Sequence, residues 1–558
     1  VSGKPGVKSV TSALQPASGS NVAYCKVSIL YGNSASENIN IVVGLPLNTT
    51  DGGTGGVQGA WNGRTQGLGG GGCSGTLNPL PAVNTGYVGS GTDGGHDGAP
   101  ADTSCANGLN PDGTFNVTWI DDFFHEGIKQ QVLFSKAVAA SYYGMKPAYN
   151  YWNGCSTGGR QGYQLAQELG NELEGILANA PAMNWQRFAT AQIWGEIAIK
   201  DLVGAQDVLN PAITNGQFAY ATNAAIAACD GKDGVVDGII DEPRTCDFSA
   251  NTPSLICTAN GGASADPNCL TPQKARAIDL IWDGPRHANG NRIWYPQQRG
   301  TALQGLSGNP PFGLTPPLLR WNENSTTFDW HTVTLYGASG TQSYAQLAMD
   351  GSTAPFDGPS FSVADEVDTD GNLDTFKAHG GKLLTFVGGA DQLIQPGGVI
   401  HYYRQMATRY GINSNVPGIP NVPNFTNVQG FYRLFRAPGV AHCGGGVGPQ
   451  PQNLFGALVN WVENGVAPDT ILASGGAVPT RTRPLCPYPT TAIYNGSGST
   501  DSAANFHCGG SLETFSTVCN DVVIKYKHEN SSAQLDFTGT GVNRNICGLA
   551  GQSASAGR

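Results

Sequence analysis

Hydrophobic and polar residues follow two regular patterns in two stretches of the chain. Short apolar runs bounded by Gly, Pro, Asn and Asp predict β-strands, and segments with apolar residues every three or four positions predict amphipathic helices. The first stretch has predicted strands at 27–30 and 39–45 and a helix at 130–143. The second has predicted helices at 374–378, 397–410 and 454–464 and strands at 382–387 and 431–435. Such alternation is typical of an α/β fold built around a mostly parallel sheet.

Between these stretches, from about residue 183 to 370, the periodicity is lost and Asn, Pro, Gly and Trp become frequent. We therefore predict an α/β core in two pieces, residues 1–182 and 371–558, with residues 183–370 inserted as a lid. Tryptophans of the lid can stack on an aromatic ligand or serve only in packing, and four are candidates: Trp282, Trp294, Trp321 and Trp330.

The most informative motif is a Gly-x-Ser-x-Gly sequence formed by Gly154, Ser156 and Gly158. A strand-like segment precedes it and a helix-compatible segment follows it, as in a nucleophile elbow, where the serine lies at a sharp strand-to-helix turn. This turn would expose the Ser156 hydroxyl and direct N–H groups of the helix start, including that of Thr157, at a developing oxyanion. The alternative is a glycine-rich turn without catalytic function.

A serine nucleophile needs a histidine base and an acid that orients the histidine. Asp391 follows a predicted strand and a Gly-Gly turn, and His442 lies in a loop after another strand. Serine, acid and histidine then follow one another in the chain order of α/β hydrolases. His96 is the rival base, but it precedes the serine; for Asp391 the alternative is an ordinary turn aspartate.

Two cysteines flank this predicted triad. Cys155 immediately precedes Ser156, and Cys443 immediately follows His442. If the triad forms, the two sulfur atoms lie within bridging distance, so a Cys155–Cys443 disulfide follows from the geometry. Such a bond would hold the nucleophile elbow against the histidine loop.

Composition narrows the class of protein. The 558 residues include 79 Gly and 34 Pro, which predicts many turns, while 39% hydrophobic and 13% charged residues exclude a disordered charged polymer. Thirty basic against 41 acidic residues give a net charge of −11, which disfavours nucleic acid as a partner. No run of eighteen apolar residues occurs, so a membrane span is not predicted.

The 13 cysteines contain no Cys-x-x-Cys pair, so disulfides are a better interpretation than a zinc or redox site. Because the count is odd, at least one thiol is unpaired within the chain, and Cys105 is the candidate. The sequence begins without a basic and apolar leader, which we interpret as a mature secreted chain. Six Asn-x-Ser/Thr sequons allow glycosylation: Asn48, Asn116, Asn324, Asn424, Asn495 and Asn530.

An acidic, glycine-rich loop at 229–241 is a candidate calcium site. Hard cations take six to eight oxygen ligands, which carboxylates and main-chain carbonyls of such a loop can supply. The spacing is not that of an EF-hand, and a solvated acidic turn is the alternative.

The motifs together resemble the tannase and feruloyl esterase family, which includes bacterial mono(2-hydroxyethyl) terephthalate hydrolases. The resemblance covers about residues 24–508 and rests on 154–160, Asp391 after its strand, and Ala437-Pro438-Gly439 before His442-Cys443. Further matches are at 61–64, 92–97 and 481–489. It implies an α/β-hydrolase core with a large lid, a Ser156-Asp391-His442 triad and hydrolysis of esters of aromatic acids.

The resemblance also implies particular site residues. The oxyanion hole would use the N–H groups of Thr157 and Gly72. A structural calcium ion in the lid would be held by the side chains of Asp230, Asp233 and Asp237 and the carbonyls of Val235 and Ile239. The expected disulfide cysteines are Cys155, Cys443, Cys229, Cys246, Cys257, Cys269, Cys486, Cys508, Cys25 and Cys73. The resemblance does not give the partner of Cys25, and we assign it to Cys73. Cys73 and the tail from Cys519 depart from the family pattern.

The sequence therefore predicts a secreted serine esterase of the feruloyl esterase type that acts on small or polysaccharide-linked aromatic esters. A tannase acting on galloyl esters and a terephthalate monoester hydrolase are alternatives within this class. A calcium-dependent carbohydrate-binding protein is the alternative outside it. No organic cofactor is expected.

Overall fold

The computed structural model describes residues 1–72, 75–95, 116–184, 194–195, 198–199, 202–204, 211–284, 294–303, 319–320, 334–335, 371–411 and 423–513. The strands are β1 (Val7–Gln15), β2 (Tyr24–Tyr31), β3 (Ile39–Pro46), β4 (Arg64–Leu68), β5 (Val88–Thr92), β6 (Tyr149–Cys155), β7 (Gly175–Asn179), β8 (Leu319–Arg320), β9 (Thr334–Leu335), β10 (Lys382–Gly388), β11 (Tyr432–Ala437), β12 (Gln450–Pro451), β13 (Ile471–Ser474), β14 (Thr482–Leu485), β15 (Thr491–Tyr494) and β16 (Phe506–Gly509). The α-helices are α1 (Leu80–Val83), α2 (Val117–Asp121), α3 (Gly127–Tyr143), α4 (Thr157–Glu168), α5 (Asn215–Cys229), α6 (Pro272–Asp283), α7 (Asp374–His379), α8 (Pro396–Arg409), α9 (Phe425–Gln429) and α10 (Leu454–Asn464). A π-helical turn, Asp122–Glu126, joins α2 to α3.

One nine-stranded sheet organises the protein, in the order β1-β2-β3-β5-β4-β6-β7-β10-β11. The first four strands pair antiparallel, and β5, β4, β6, β7, β10 and β11 pair parallel. The carboxyl ends of β4, β6, β10 and β11 therefore lie along one edge, where the polypeptide continues into the loops that carry the candidate site. The predicted α/β fold is confirmed.

Alternation of side chains along the strands divides the core between the two faces of the sheet. Trp152, Ile176 and Leu383 belong to a cluster that includes residues of α4 and α8. Their neighbours Tyr151, Leu177 and Leu384 belong to a cluster that includes α10. Because successive side chains on a strand point to opposite faces, both faces of the parallel strands are buried beneath helices.

The antiparallel strands have a separate cluster. Apolar side chains of β2 and β3 that share one face, such as Ile29 and Ile41, pack with Phe134 and Val138 of α3. Helix α3 ends at Gly144, whose φ of 70° closes the last turn in the left-handed conformation that glycine adopts at little cost.

The described part of segment 183–370 has a hydrophobic cluster of its own, which includes Phe218 of α5 and Ile278 of α6. A capping box formed by Thr214 and Gln217 starts α5, and Thr271 caps α6 ahead of Pro272. The division of the chain into the core 1–182 and 371–558 and the lid 183–370 stays a prediction.

Disulfides were expected and are present. The bonded pairs are Cys155–Cys443, Cys229–Cys246, Cys257–Cys269 and Cys486–Cys508. Cys73, Cys105, Cys519 and Cys547 lie outside the described residues.

The assignment of Cys25 to Cys73 is wrong, because Cys25 is a free thiol. In the antiparallel register of β2 and β3, Cys25 lies opposite Leu45. The residue before Leu45, Gly44, lies opposite Gly89, near the start of β5. Cys25 therefore lies at the amino end of the parallel strands, whereas Gly72, the residue before Cys73, follows the carboxyl end of β4. Burial, with a smaller effect of the nearby Asp51 charge, raises the pKa of the Cys25 thiol.

Candidate active site

Ser156 occupies the turn between β6 and α4 in a strained conformation, with φ 65° and ψ −123°. Non-glycine residues rarely adopt positive φ, and they keep it only where neighbouring structure enforces it. Here the N–H of Ser156 donates to the carbonyl of Asn179 (3.0 Å), and its carbonyl accepts from Ala182 and Arg160 (both 3.0 Å). The elbow predicted from the sequence is thus formed and held on both sides.

The two glycines of the motif are needed because the backbone approaches too closely for a side chain. A Cβ at Gly154 would lie 2.4 Å from the carbonyl oxygen of Gly158. A Cβ at Gly158 would lie 2.8 Å from the carbonyl oxygen of Gly70. The loop that contains Gly70 therefore packs directly against the first turn of α4.

That loop, residues 69–72, is fixed beside the serine by hydrogen bonds. The N–H of Gly158 donates to the Gly70 carbonyl (2.8 Å), and Oγ1 of Thr157 donates to the Gly72 carbonyl (2.6 Å). Among the described residues, neither the N–H of Thr157 nor that of Gly72 has an acceptor. Two N–H groups next to the serine are thus available for a negatively charged oxygen.

Asp391 follows β10 and is fully buried. Its Oδ1 accepts from the N–H groups of Leu393 and Ile394, both at 2.8 Å. Its Oδ2 lies 2.8 Å from Nδ1 of His442. A carboxylate fixed at both oxygens in this way favours the His442 tautomer that carries its proton on Nδ1 and leaves Nε2 as an acceptor.

The disulfide Cys155–Cys443 places the elbow and the histidine loop next to each other, with Cα atoms 6.0 Å apart. Consecutive Cα atoms are about 3.8 Å apart, so those of Ser156 and His442 lie within about 14 Å. Cys443 also has a positive φ of 58°, so both bonded segments contain a strained residue. The structure brings together the three residues chosen from the sequence; the rival His96 lies outside the described residues.

The acidic loop is built around Asp230, whose carboxylate accepts from the N–H groups of Asp237, Gly238 and Ile239. Burial, opposed by a hydrogen bond from Val235, raises the pKa of Asp233. Burial and the charge of Asp233 raise the pKa of Asp241 well above its usual value.

This loop contacts the segment that leads to the histidine. Asp237 pairs with Arg481, just before β14, and with Arg483 of β14. A Cβ at Gly439, three residues before His442, would lie 3.2 Å from Cγ2 of Ile239. Among the described residues, no group of three or more His, Cys, Asp or Glu could hold a metal ion.

Gln392 belongs to the site but was not predicted from the sequence, and the role of the four candidate tryptophans was left open. Gln392 accepts a hydrogen bond from the N–H of His442 (3.1 Å) through Oε1, and nothing in the sequence beyond its place after Asp391 indicates this. Trp282 and Trp294 are buried in hydrophobic clusters, which favours packing as their role. Trp321 and Trp330 lie outside the described residues.

The chain is similar in sequence to a known family of proteins. The sequence model of the family described as "Tannase and feruloyl esterase" matches residues 57–509. A probable feruloyl esterase of Arthroderma benhamiae is 33% identical over 471 residues, 80% of each protein. The mono(2-hydroxyethyl) terephthalate hydrolase of Piscinibacter sakaiensis is 28% identical over 520 residues, 80% of this chain and 79% of that protein.

Solved structures show the same fold. Feruloyl esterase B from Aspergillus oryzae superposes with a TM-score of 0.67 at 23% identity, over 91% of this chain and 98% of that one. The tannin acyl hydrolase of Aspergillus niger gives a TM-score of 0.67 at 22% identity, over 93% of each chain. No helix in the described residues is both long and apolar enough to span a membrane. The chain therefore belongs to the tannase and feruloyl esterase family, a family of carboxylic ester hydrolases with an α/β-hydrolase fold.

Proposed function

We propose that the protein is a serine esterase that cleaves esters of aromatic acids through Ser156, His442 and Asp391. The observation that carries this proposal is the buried Asp391–His442 hydrogen bond, held beside Ser156 by the Cys155–Cys443 disulfide. Family membership decides against the carbohydrate-binding alternative, because the family consists of esterases.

In the proposed reaction Ser156 Oγ attacks the ester carbonyl while Nε2 of His442 takes the hydroxyl proton. The N–H groups of Thr157 and Gly72 donate to the oxyanion of the tetrahedral intermediate. His442 then protonates the leaving alcohol, and an acyl-serine forms. Water, deprotonated by His442, attacks the acyl-serine and releases the acid, while Asp391 stabilises the imidazolium in both halves.

The substrate class follows from the relatives rather than from the described part of the site. The printed names of two relatives refer to a feruloyl ester and a terephthalate monoester, both with an aromatic acyl group. We place feruloyl esters first, with galloyl esters and terephthalate monoesters as the competing substrates.

The test is a side-by-side assay of methyl ferulate, methyl gallate and mono(2-hydroxyethyl) terephthalate, with the wild type and Ser156→Ala. We expect Ser156→Ala to lower turnover by a factor on the order of 10⁴ or more and to abolish labelling by a fluorophosphonate. Ser12→Ala, on the exposed strand β1, is the matched control and should retain both. Near-native turnover of Ser156→Ala would refute the mechanism, and preference for gallate or the terephthalate ester would refute the substrate assignment.

We also propose that the acidic loop binds a structural calcium ion through Asp230, Asp233 and Asp237 and the carbonyls of Val235 and Ile239. The proposal is supported by Asp233 and Asp241, whose carboxyl groups are hydrogen-bonded to each other, an arrangement that a nearby divalent cation would relieve. The side chains of Asp230, Asp233 and Asp237 do not already form a metal-holding group, so they would have to turn toward the ion, with main-chain carbonyls completing the set. When bound, the ion would contribute only to the stability of the loop.

Calorimetric titration of the chelated protein with Ca²⁺ tests this proposal. We expect binding near one equivalent and a higher melting temperature, and weaker binding by Asp233→Asn. The matched control Asp266→Asn, in the same segment but outside the loop, should bind as the wild type does. Absence of binding to the wild type would refute the site.

We propose secretion because the described residues contain four disulfides, bonds that persist in oxidising compartments. For glycosylation, Asn495 is the favoured acceptor because it is exposed, whereas Asn48 is buried and caps a 3-10 helix. Mass spectrometry of the protein secreted by a eukaryotic host would locate the glycans.

A further inference from the structure

We propose that Gln392 is a positioning residue that connects the lid segment 294–298 to the catalytic histidine. This inference rests on the proposed function, since it assumes that His442 is the base. It concerns how the base is held, and therefore the rate of the chemical steps.

Gln392 makes hydrogen bonds in two directions from its place next to Asp391. Its side-chain Oε1 accepts from the main-chain N–H of His442 (3.1 Å), and its main-chain carbonyl accepts from Nε2 of Gln297 (2.7 Å). The first bond joins the acid turn to the histidine loop. The second joins the acid turn to the lid segment.

The lid segment is firmly attached to the core where it meets Gln392. The hydroxyl of Tyr295 lies 2.9 Å from Nδ1 of His401 on α8. A Cβ at Gly398 would lie 2.3 Å from the ring of Trp294, and a Cβ at Gly397 would lie 2.4 Å from the ring of Tyr295. Helix α8 can receive these rings because its first turn has glycines, so the segment forms a fixed support.

The amide of Gln297 is buried, with 6% of the residue exposed, and its Oε1 has no hydrogen-bond partner among the described residues. A buried amide that leaves one atom unpaired costs free energy. Its placement is therefore explained best by its other bond, to the carbonyl of Gln392.

His442 is held from two sides in this arrangement. The disulfide of Cys443 restrains the chain after the histidine, and Gln392 restrains the main chain of the histidine itself. Loss of the Gln392 acceptor would let the imidazole leave its alignment with Asp391, which lowers the rate of proton transfer more than substrate affinity.

The test compares Gln392→Met, which is similar in size but has no strong acceptor, with Gln392→Glu, which keeps the acceptor. A hydrogen bond contributes about 0.5–1.5 kcal/mol, so we expect Gln392→Met to lower kcat by up to about 10-fold with little change in KM. Gln392→Glu should recover most of kcat. Because its added negative charge favours imidazolium, it should also move the acidic limb of the kcat/KM profile to higher pH. A purely structural role would instead lower the folded fraction and leave the kcat of the folded enzyme unchanged.

The lid connection is tested by Gln297→Met, which we expect to lower kcat by about threefold with unchanged KM. The matched control is Gln452→Met, which removes a side-chain hydrogen bond to the carbonyl of Gln450, two positions away, and should behave as the wild type. Thermal melts of all variants identify any that fail to fold, and the Glu variant still decides the question if the Met variant does not fold.

The inference is overturned if Gln392→Met keeps wild-type kcat, if Gln392→Glu is as slow as Gln392→Met, or if Gln297→Met matches Gln452→Met. Ser156→Ala is run in parallel: if that variant stays active, the proposed function itself fails. An inactive Ser156→Ala together with unaffected Gln392 variants overturns the positioning role alone.

Discussion

Cys155 and Cys443 are 288 positions apart in the chain and are joined by a disulfide with a Cα separation of 6.0 Å. Each is the sequence neighbour of a proposed catalytic residue, Ser156 and His442. The bond therefore restrains the distance between the proposed nucleophile and the proposed base.

Replacement of both cysteines by serine should affect catalysis and stability together. Chain-entropy models give an upper estimate of about 5 to 6 kcal/mol for so long a loop, so a large drop in melting temperature is expected. Turnover of the folded fraction should also fall. The control is Cys257→Ser with Cys269→Ser, a bond between positions only 12 apart, for which about 3 kcal/mol and unchanged kcat are expected. Equal kcat for both double variants would contradict a catalytic role for the first bond.

Asp391→Asn should keep the fold and lose activity. The amide can donate to Nδ1 of His442, which favours the tautomer with the proton on Nε2, where it cannot accept one from Ser156. We expect kcat to fall by about 10⁴. Asp374→Asn, an exposed aspartate in α7, is the control. Retention of more than a tenth of kcat would argue that Asp391 is only a turn residue.

Gly158→Ala should displace loop 69–72, which contains the proposed oxyanion donor Gly72. The added Cβ would lie 2.8 Å from the Gly70 carbonyl oxygen and 3.0 Å from Cα of Gly69, so loop 69–72 must move away from Thr157. One lost oxyanion donor costs about 10² to 10³ in kcat. Gly430→Ala, where the nearest atom would lie at 3.4 Å, is the control. The measurement is kcat with methyl ferulate. An unchanged kcat would show that the N–H of Gly72 does not donate to the oxyanion.

The raised pKa of Asp122 predicts that the stability of the fold depends on pH. Burial, followed by the charges of Glu37 and Asp121, raises the pKa of Asp122 from 3.8 to about 8. Its contribution to stability is complete below about pH 4 and is lost as pH rises toward 8, because the unfolded chain releases the proton that the folded protein retains.

Asp122→Asn should therefore raise the melting temperature at pH 8 by a few degrees and have little effect at pH 4. Scanning calorimetry at both values is the measurement, with Asp469→Asn, a 91% exposed side chain, as the control. An equal shift at both pH values would mean that packing, rather than ionisation, is responsible.

Much of the fold and of the candidate site follows from the sequence, because both depend on local patterns. The predicted strands at 39–45 and 382–387 and helices at 130–143 and 454–464 coincide with β3, β10, α3 and α10 to within a few residues. Ser156, Asp391 and His442 could be chosen because each follows a strand with a turn motif, and the carboxyl ends of parallel strands meet at one edge. The neighbouring residues Cys155 and Cys443 also predicted, from the sequence alone, that Ser156 and His442 lie close together.

Tertiary structure alone decided the relations between distant residues that no local pattern encodes. No local pattern gives a partner for Cys25, and the antiparallel register of β2 and β3 puts this residue at the opposite edge of the sheet from Gly72, away from the assigned Cys73. The hydrogen bonds that Gln392 accepts from His442 and from Gln297 depend on how the segments around these three residues pack together. Local sequence determines which residues are able to act as nucleophile, acid or base. The packing of segments far apart in the chain determines which of them are in contact.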